Sequence, residues 1–303
     1  MTNQIFKPEE WPVSWQTPVA DYTVLGDVPL PTTLREAAVA ALRASDLDTK
    51  IALTRVAARQ WFKGSLGIGG NIQLSIPDRP GRPVRPNLVS PDKLRKRSIH
   101  TEKGRFALLH AIAHIELNAI DLAWDIVARF ASPTGQAPPM PRSFYDGWVR
   151  VALEEAKHFS LLRERLGELG GDYGDLDAHD GLWEAAQTTG HALRARLAVV
   201  PLILEARGLD ITPSLLRKMD EVGDERSARI FHIIYRDEEG HVAVGAKWFR
   251  FLCLRDGVEP AAAFQNLVRK HFRGPLKPPF NDLARARAGL TPGFYRGLSS
   301  AGN

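Results

Sequence analysis

The 303-residue chain has a single cysteine, Cys253. That excludes an internal disulfide and a cluster of thiolate ligands, and it suggests a reducing compartment. Any metal must then be held mainly by histidine and carboxylate. The sequence also lacks an uninterrupted apolar run of the ~18 residues a membrane span needs. Its longest candidate, LAVVPLILEA, contains Pro201 and Glu205. The opening MTNQIFKPEEWPVSW has no basic segment followed by an apolar one, so no secretory signal is read. These absences lead to the expectation of a cytoplasmic protein that uses no membrane. Strand signals are almost missing as well.

What is present is ordinary for a soluble globular chain: 44% apolar and 25% charged residues. The net charge of +5 is concentrated in PDRPGRPVRPNLVSPDKLRKR (77–97) and RKHFRGPLK (269–277). Such patches attract polyanions, so RNA is one partner to consider. The first stretch has no aromatic residues on which bases would stack, and its plainer reading is a Pro-rich connection held to the surface by arginine.

Residues 1–30 are expected to wrap the surface. PTTLREAAVAALRA (31–44), with a threonine cap and a following glutamate, and DLDTKIALTRVAARQW (46–61) read as short helices. The Gly-rich FKGSLGIGGNIQLS has no Lys-Ser/Thr and makes a poor phosphate loop. Four long helices are predicted at about 101–130, 142–168, 181–207 and 224–255, with the third ending at Gly208. A short helix is predicted to start near Thr212-Pro213, and a further helix covers 260–272. Four helices of this length imply an all-α fold built on a four-helix bundle. The expected organisation is an N-terminal section (1–98), the bundle (99–256) and a C-terminal helix and tail (257–303) in one compact domain.

Two of the long helices contain Glu-x-x-His: Glu155 with His158, and Glu238 with His241. That spacing puts carboxylate and imidazole on one helix face, a turn apart. Chance gives ~0.5 such matches in a chain of this composition, so one alone means little. Each motif, however, has a glutamate one helix earlier: Glu116 before the first, and Glu205, alone in its apolar run, before the second. Glu … Glu-x-x-His … Glu … Glu-x-x-His is the ligand order of ferritin-like carboxylate proteins that bind two metal ions. Oxygen donors with one imidazole per metal suit iron, with manganese or a mixed manganese–iron pair as alternatives.

Asp237 and Glu154 each precede a motif glutamate and lie about 40° around the helix from the histidine, so they are candidates to orient the ligands. Tyr235, Ile112 and Ala113 are candidate pocket residues. In HAIAHIELNAIDLAWD (110–125), His110 and His114 fall about 120° and 160° away from Glu116. They are expected to make structural hydrogen bonds, with the N-terminal wrapping as their candidate partner, and Glu116 alone to be a ligand. No catalytic residue is expected beyond the metal centre.

PGRPVRP, GRFALLHAIAHIELNAIDLAWD, EEAKHF and RDEEGHV resemble the bacterial DUF455 family of ferritin-like proteins. The resemblance implies a ferritin-like fold with a metal centre but no defined activity. The expected function is an O2-dependent di-iron oxygenase or oxidase acting on a small-molecule or nucleoside substrate, with an external electron donor. The alternatives are a tRNA-modifying hydroxylase, by fold-level analogy, and a ferroxidase with no organic substrate.

Overall fold

The computed structural model describes residues 11–12, 15, 24–26, 29–69, 73–94, 98–131 and 138–299. Among them are helices and three isolated β-bridges but no strand, so the fold is all-α. The chain divides into two compact units, Met1–Asp180 and Gly181–Asn303. The expected wrapping by residues 1–30 lies largely outside the described residues.

Among the described residues, the first unit is built on four helices of ten or more residues. Helix α1 (Leu34–Arg43) starts at Thr33, whose hydroxyl accepts from the Glu36 amide while the Glu36 carboxylate accepts from the Thr33 amide. This reciprocal capping box satisfies amides that would otherwise lack partners. Helix α2 (Leu47–Phe62) is capped by Asp46. The two long helices, α3 (Glu102–Phe130) and α4 (Arg142–Glu168), match their predicted spans to within a residue. Helix α4 stops where Gly170 takes up φ 83°, a left-handed conformation only glycine adopts at no steric cost.

Helices α3 and α4 run antiparallel. The Tyr145 hydroxyl reaches the Ala131 carbonyl at one end, and a Cβ on Gly171 would strike Phe106 at the other. Helix α2 packs on both through polar contacts in the interior. Lys50 pairs with Asp121, Trp124 Nε1 donates to Thr54 Oγ1 (2.9 Å) and Trp61 Nε1 to Asp146 Oδ1 (2.9 Å). Trp61, Trp124 and Trp148 are all fully buried. Each removes enough apolar surface from water to contribute roughly 2–3 kcal/mol.

His110 and His114 have the structural role expected of them, but their partner is the segment after α4. The Gly174 amide donates to His110 Nε2 (2.9 Å). His114 Nε2 lies 3.0 Å from the His179 carbonyl and its Nδ1 lies 2.7 Å from the Tyr173 hydroxyl. A carbonyl can only accept, so Nε2 carries the proton and Nδ1 receives the tyrosine's. The Pro-rich run lies along the same segment, through Val89 N to Ala178 O (2.8 Å) and Ala178 N to Asn87 O (3.0 Å). Arg79 and Arg82 both pair with Asp180, and Arg82 also reaches Asn118 (2.6 Å).

Helix α3 is long and apolar enough to cross a membrane by length and composition, although most of that stretch is buried inside the structure. Mostly buried core helices pass the same test, and α3 carries the buried Asp121 paired with Lys50.

In the second unit the predicted third helix requires correction. In place of one helix over 181–207 there are α5 (Gly181–Gln187), α6 (Leu193–Val199) and a π-helical turn, Val200–Glu205. These lead directly into α7 (Ala206–Glu221). The break at 188–192 is a turn closed by bonds such as Thr189 N to Ala186 O. Pro201 has no N–H for the Leu197 carbonyl, which favours the wider π hydrogen-bonding pattern at that point.

Gly208 and Pro213, read as a stop and a start, are both interior to α7. The carbonyl that Pro213 leaves without its helical donor is that of Leu209, and Asn281 Nδ2 donates to it (3.2 Å). The Thr212 hydroxyl donates to Gly208 O (2.8 Å). Local sequence reads proline as a boundary because it cannot see a donor 72 residues away. Helix α8 (Glu225–Arg255) matches its prediction and runs antiparallel to α7. It is followed by α9 (Pro260–His271), α10 (Asp282–Arg287) and α11 (Pro292–Tyr295).

Candidate metal centre

In the first unit, α3 supplies Glu116 and α4 supplies Glu155 and His158. All three are buried, with candidate ligand atoms within 4.8 Å of one another. His158 Nδ1 is 3.1 Å from Glu116 Oε2 and 3.4 Å from Glu155 Oε2. The antiparallel pairing of the two long helices sets Glu116 opposite the Glu-x-x-His turn. Around Glu116 the helix face is apolar and small: Leu109, Ala113, Ala119, Ile120 and Ala123 are all buried.

Burial pushes the Glu116 carboxyl well above its ordinary range, and the neighbouring Glu155 carboxylate pushes it further. The hydrogen bond with His158 opposes both effects. Two buried carboxyl groups beside one imidazole are costly as bare ions. A divalent cation among them would offset the repulsion and use the oxygen and nitrogen donors already converged there. This buried group of Glu and His side chains is therefore fit to hold a metal ion.

The second unit carries the same residue types in the same order, Glu205 and then Glu238 with His241. Glu205 ends the π turn and is half-buried, while Glu238 and His241 on α8 are buried. His241 Nδ1 is 3.7 Å from Glu238 Oε2. The Glu238 side chain lies against Gly208, one turn beyond Glu205, where a Cβ would be 3.8 Å from its Cγ and Cδ. That distance is ordinary van der Waals contact, so the approach of Glu238 to Gly208 would tolerate a Cβ. Sequence reading took the glycine for a helix end and so did not anticipate this contact.

The other candidates fall as follows. Asp237 pairs with Arg236 (2.8 Å), and Glu154 is half-buried. The Tyr235 hydroxyl accepts from Asn281 Nδ2 (2.9 Å), the group that also caps Leu209 O. Ile112 is half-buried and Ala113 buried.

Fold and site together define an all-α protein with a buried carboxylate–imidazole cluster that could hold a metal ion. The chain belongs to the DUF455 family, "Protein of unknown function", whose model matches residues 43–296. It is similar to an uncharacterized protein of Haemophilus influenzae, with 45% identity over 209 residues, covering 69% of this chain and 73% of that one. No solved structure matches the chain.

Proposed function

We propose that the two Glu/Glu-x-x-His sets join in one ferritin-like dinuclear centre, and that the protein is an O2-dependent oxidoreductase of the oxygenase or oxidase type. The observation that supports this is the duplication. In sequence each unit carries a glutamate one helix before a Glu-x-x-His turn; in the first His158 Nδ1 lies 3.1 Å from Glu116 and 3.4 Å from Glu155, and in the second His241 Nδ1 lies 3.7 Å from Glu238 of its own turn. Glu116, Glu155 and His158 would hold one ion, and Glu205, Glu238 and His241 the other. The oxygen-rich donor set favours iron, with manganese as the alternative.

Iron in such a site supplies the redox chemistry by which O2 is reduced and an organic substrate oxidised, with electrons from an external donor. The protein's own part is to fix the donor atoms and keep water away. Burial of Glu116, Glu155, His158 and His241 serves the second purpose. The small side chains at Ala113, Ala119 and Ala123 limit crowding beside Glu116, and half-buried Ile112 adds an apolar wall one turn away. An iron-storage cage is less well supported, because α1 and α2 already cover faces of α3 and α4.

The test is metal analysis of protein produced in iron-supplemented medium, followed by O2-uptake assays. The expected result is two irons per chain, with large losses in both Glu116→Ala and Glu238→Ala. Undiminished iron in both variants would overturn the assignment. O2 consumption linked to oxidation of an organic compound separates the oxygenase reading from a plain ferroxidase.

A further inference from the structure

The two basic stretches of the sequence differ in what surrounds them. Residues 1–180 contain 22 Lys and Arg against 22 Asp and Glu, so the first unit is neutral. Residues 181–303 contain 18 against 13 and account for the whole net charge of +5. Within 260–303 there are seven basic residues and one acidic, Asp282.

Three of those seven have carboxylate partners: Arg285 with Asp210, Arg287 with Glu239 and Arg296 with Asp282. The remaining four, Arg269, Lys270, Arg273 and Lys277, are exposed and fall within nine residues. None has a carboxylate partner among the described residues; Arg269 touches only the amides of Asn266 and Gln265. In the Pro-rich run, by contrast, Arg79 and Arg82 share a carboxylate partner, Asp180.

Beside the four cations, exposed His191 and half-buried His271 bring their rings to 5.2 Å. Adjacent Phe272 is half-buried. Residues 269–277 have no exposed large apolar side chain, since Leu276 is buried. A membrane-inserting surface would need one. Cations that track phosphates next to accessible ring faces are what unstacked nucleotides require.

We propose that the 269–277 segment, with His191 and His271, is a docking surface for single-stranded nucleic acid. The four cations contact successive phosphates and the imidazole rings face the bases. Recognition is electrostatic and tolerant of sequence, and it is independent of the metal centre.

The experiment is fluorescence anisotropy of the full chain with a labelled single-stranded RNA of mixed sequence. Four phosphate contacts predict that affinity falls roughly 50-fold between about 50 and 200 mM salt. Lys270→Glu combined with Arg273→Glu should weaken binding at least tenfold and flatten the salt slope, with an unchanged thermal melt. Arg217→Glu with Lys218→Glu, an equal charge change at exposed sites on α7, should leave binding nearly intact. Three results would overturn the proposal. These are no binding at low salt, equal loss in both double variants, or capture by phosphatidylserine vesicles with none of the RNA.

Discussion

His114 shows how a conspicuous residue can be structural. Burial, opposed by the bond to the His179 carbonyl, holds its pKa down at about 4 against an ordinary 6.5. The unfolded chain therefore takes up a proton that the folded one refuses as pH falls from about 6.5 to 4, and stability is lost across that window. His114→Gln removes this term. The urea-unfolding stability of the native protein should fall relative to that variant by about 2 kcal/mol between pH 7 and pH 5. A difference that does not change with pH would contradict the assignment. Lys50 is the other test at this scale. It pairs with Asp121 and donates to the Ala41 carbonyl (2.8 Å), and burial raises the Asp121 carboxyl to about 6. Lys50→Met leaves Asp121 buried without the partner that holds its carboxyl down and should cost up to about 3–5 kcal/mol at pH 7. The loss should shrink near pH 5, where Asp121 takes a proton. Adding Asp121→Leu should recover most of the stability at pH 7.

The elements separate what local sequence encodes from what it cannot. Helices α3, α4 and α8 were legible because apolar periodicity, caps and terminal glycines agree, and their ligand candidates could be read as facing glutamates and histidines. The π turn before α7 was not, because it depends on where Pro201 sits when α8 packs against it. Gly245 marks that contact: a Cβ there would come within 2.5 Å of the Pro201 ring. Gly245→Ala should destabilise the protein by about 1–3 kcal/mol and, by shifting the Glu205 turn, lower its metal content. Gly240, in the same helix, is exposed, and a Cβ added there would meet nothing within 4 Å. Gly240→Ala should therefore be neutral or stabilising by about 0.5–1 kcal/mol. Thermal melts of the two variants give opposite signs if the close approach is what matters.

At the scale of the whole molecule, the two units repeat one pattern, a glutamate followed a helix later by Glu-x-x-His. The repeat was legible because two Glu-x-x-His motifs, each with a glutamate one helix earlier, exceed chance, whereas His110 and His114, with no counterpart in the second unit, belong to packing. The charge division was only half visible. Counting located both basic stretches, but the structure was needed to show that Arg79 and Arg82 share Asp180 as a partner while exposed Arg269, Lys270, Arg273 and Lys277 have no carboxylate partner among the described residues. If the two halves form one centre, loading it joins donors from both units and should raise the melting temperature. Removing Glu116 or Glu238 should abolish that rise. The most direct measurement is X-ray absorption at the iron edge on the loaded protein. The account predicts two irons per chain about 3–4 Å apart in an oxygen- and nitrogen-rich shell. Iron at one or fewer per chain with no iron neighbour would contradict it.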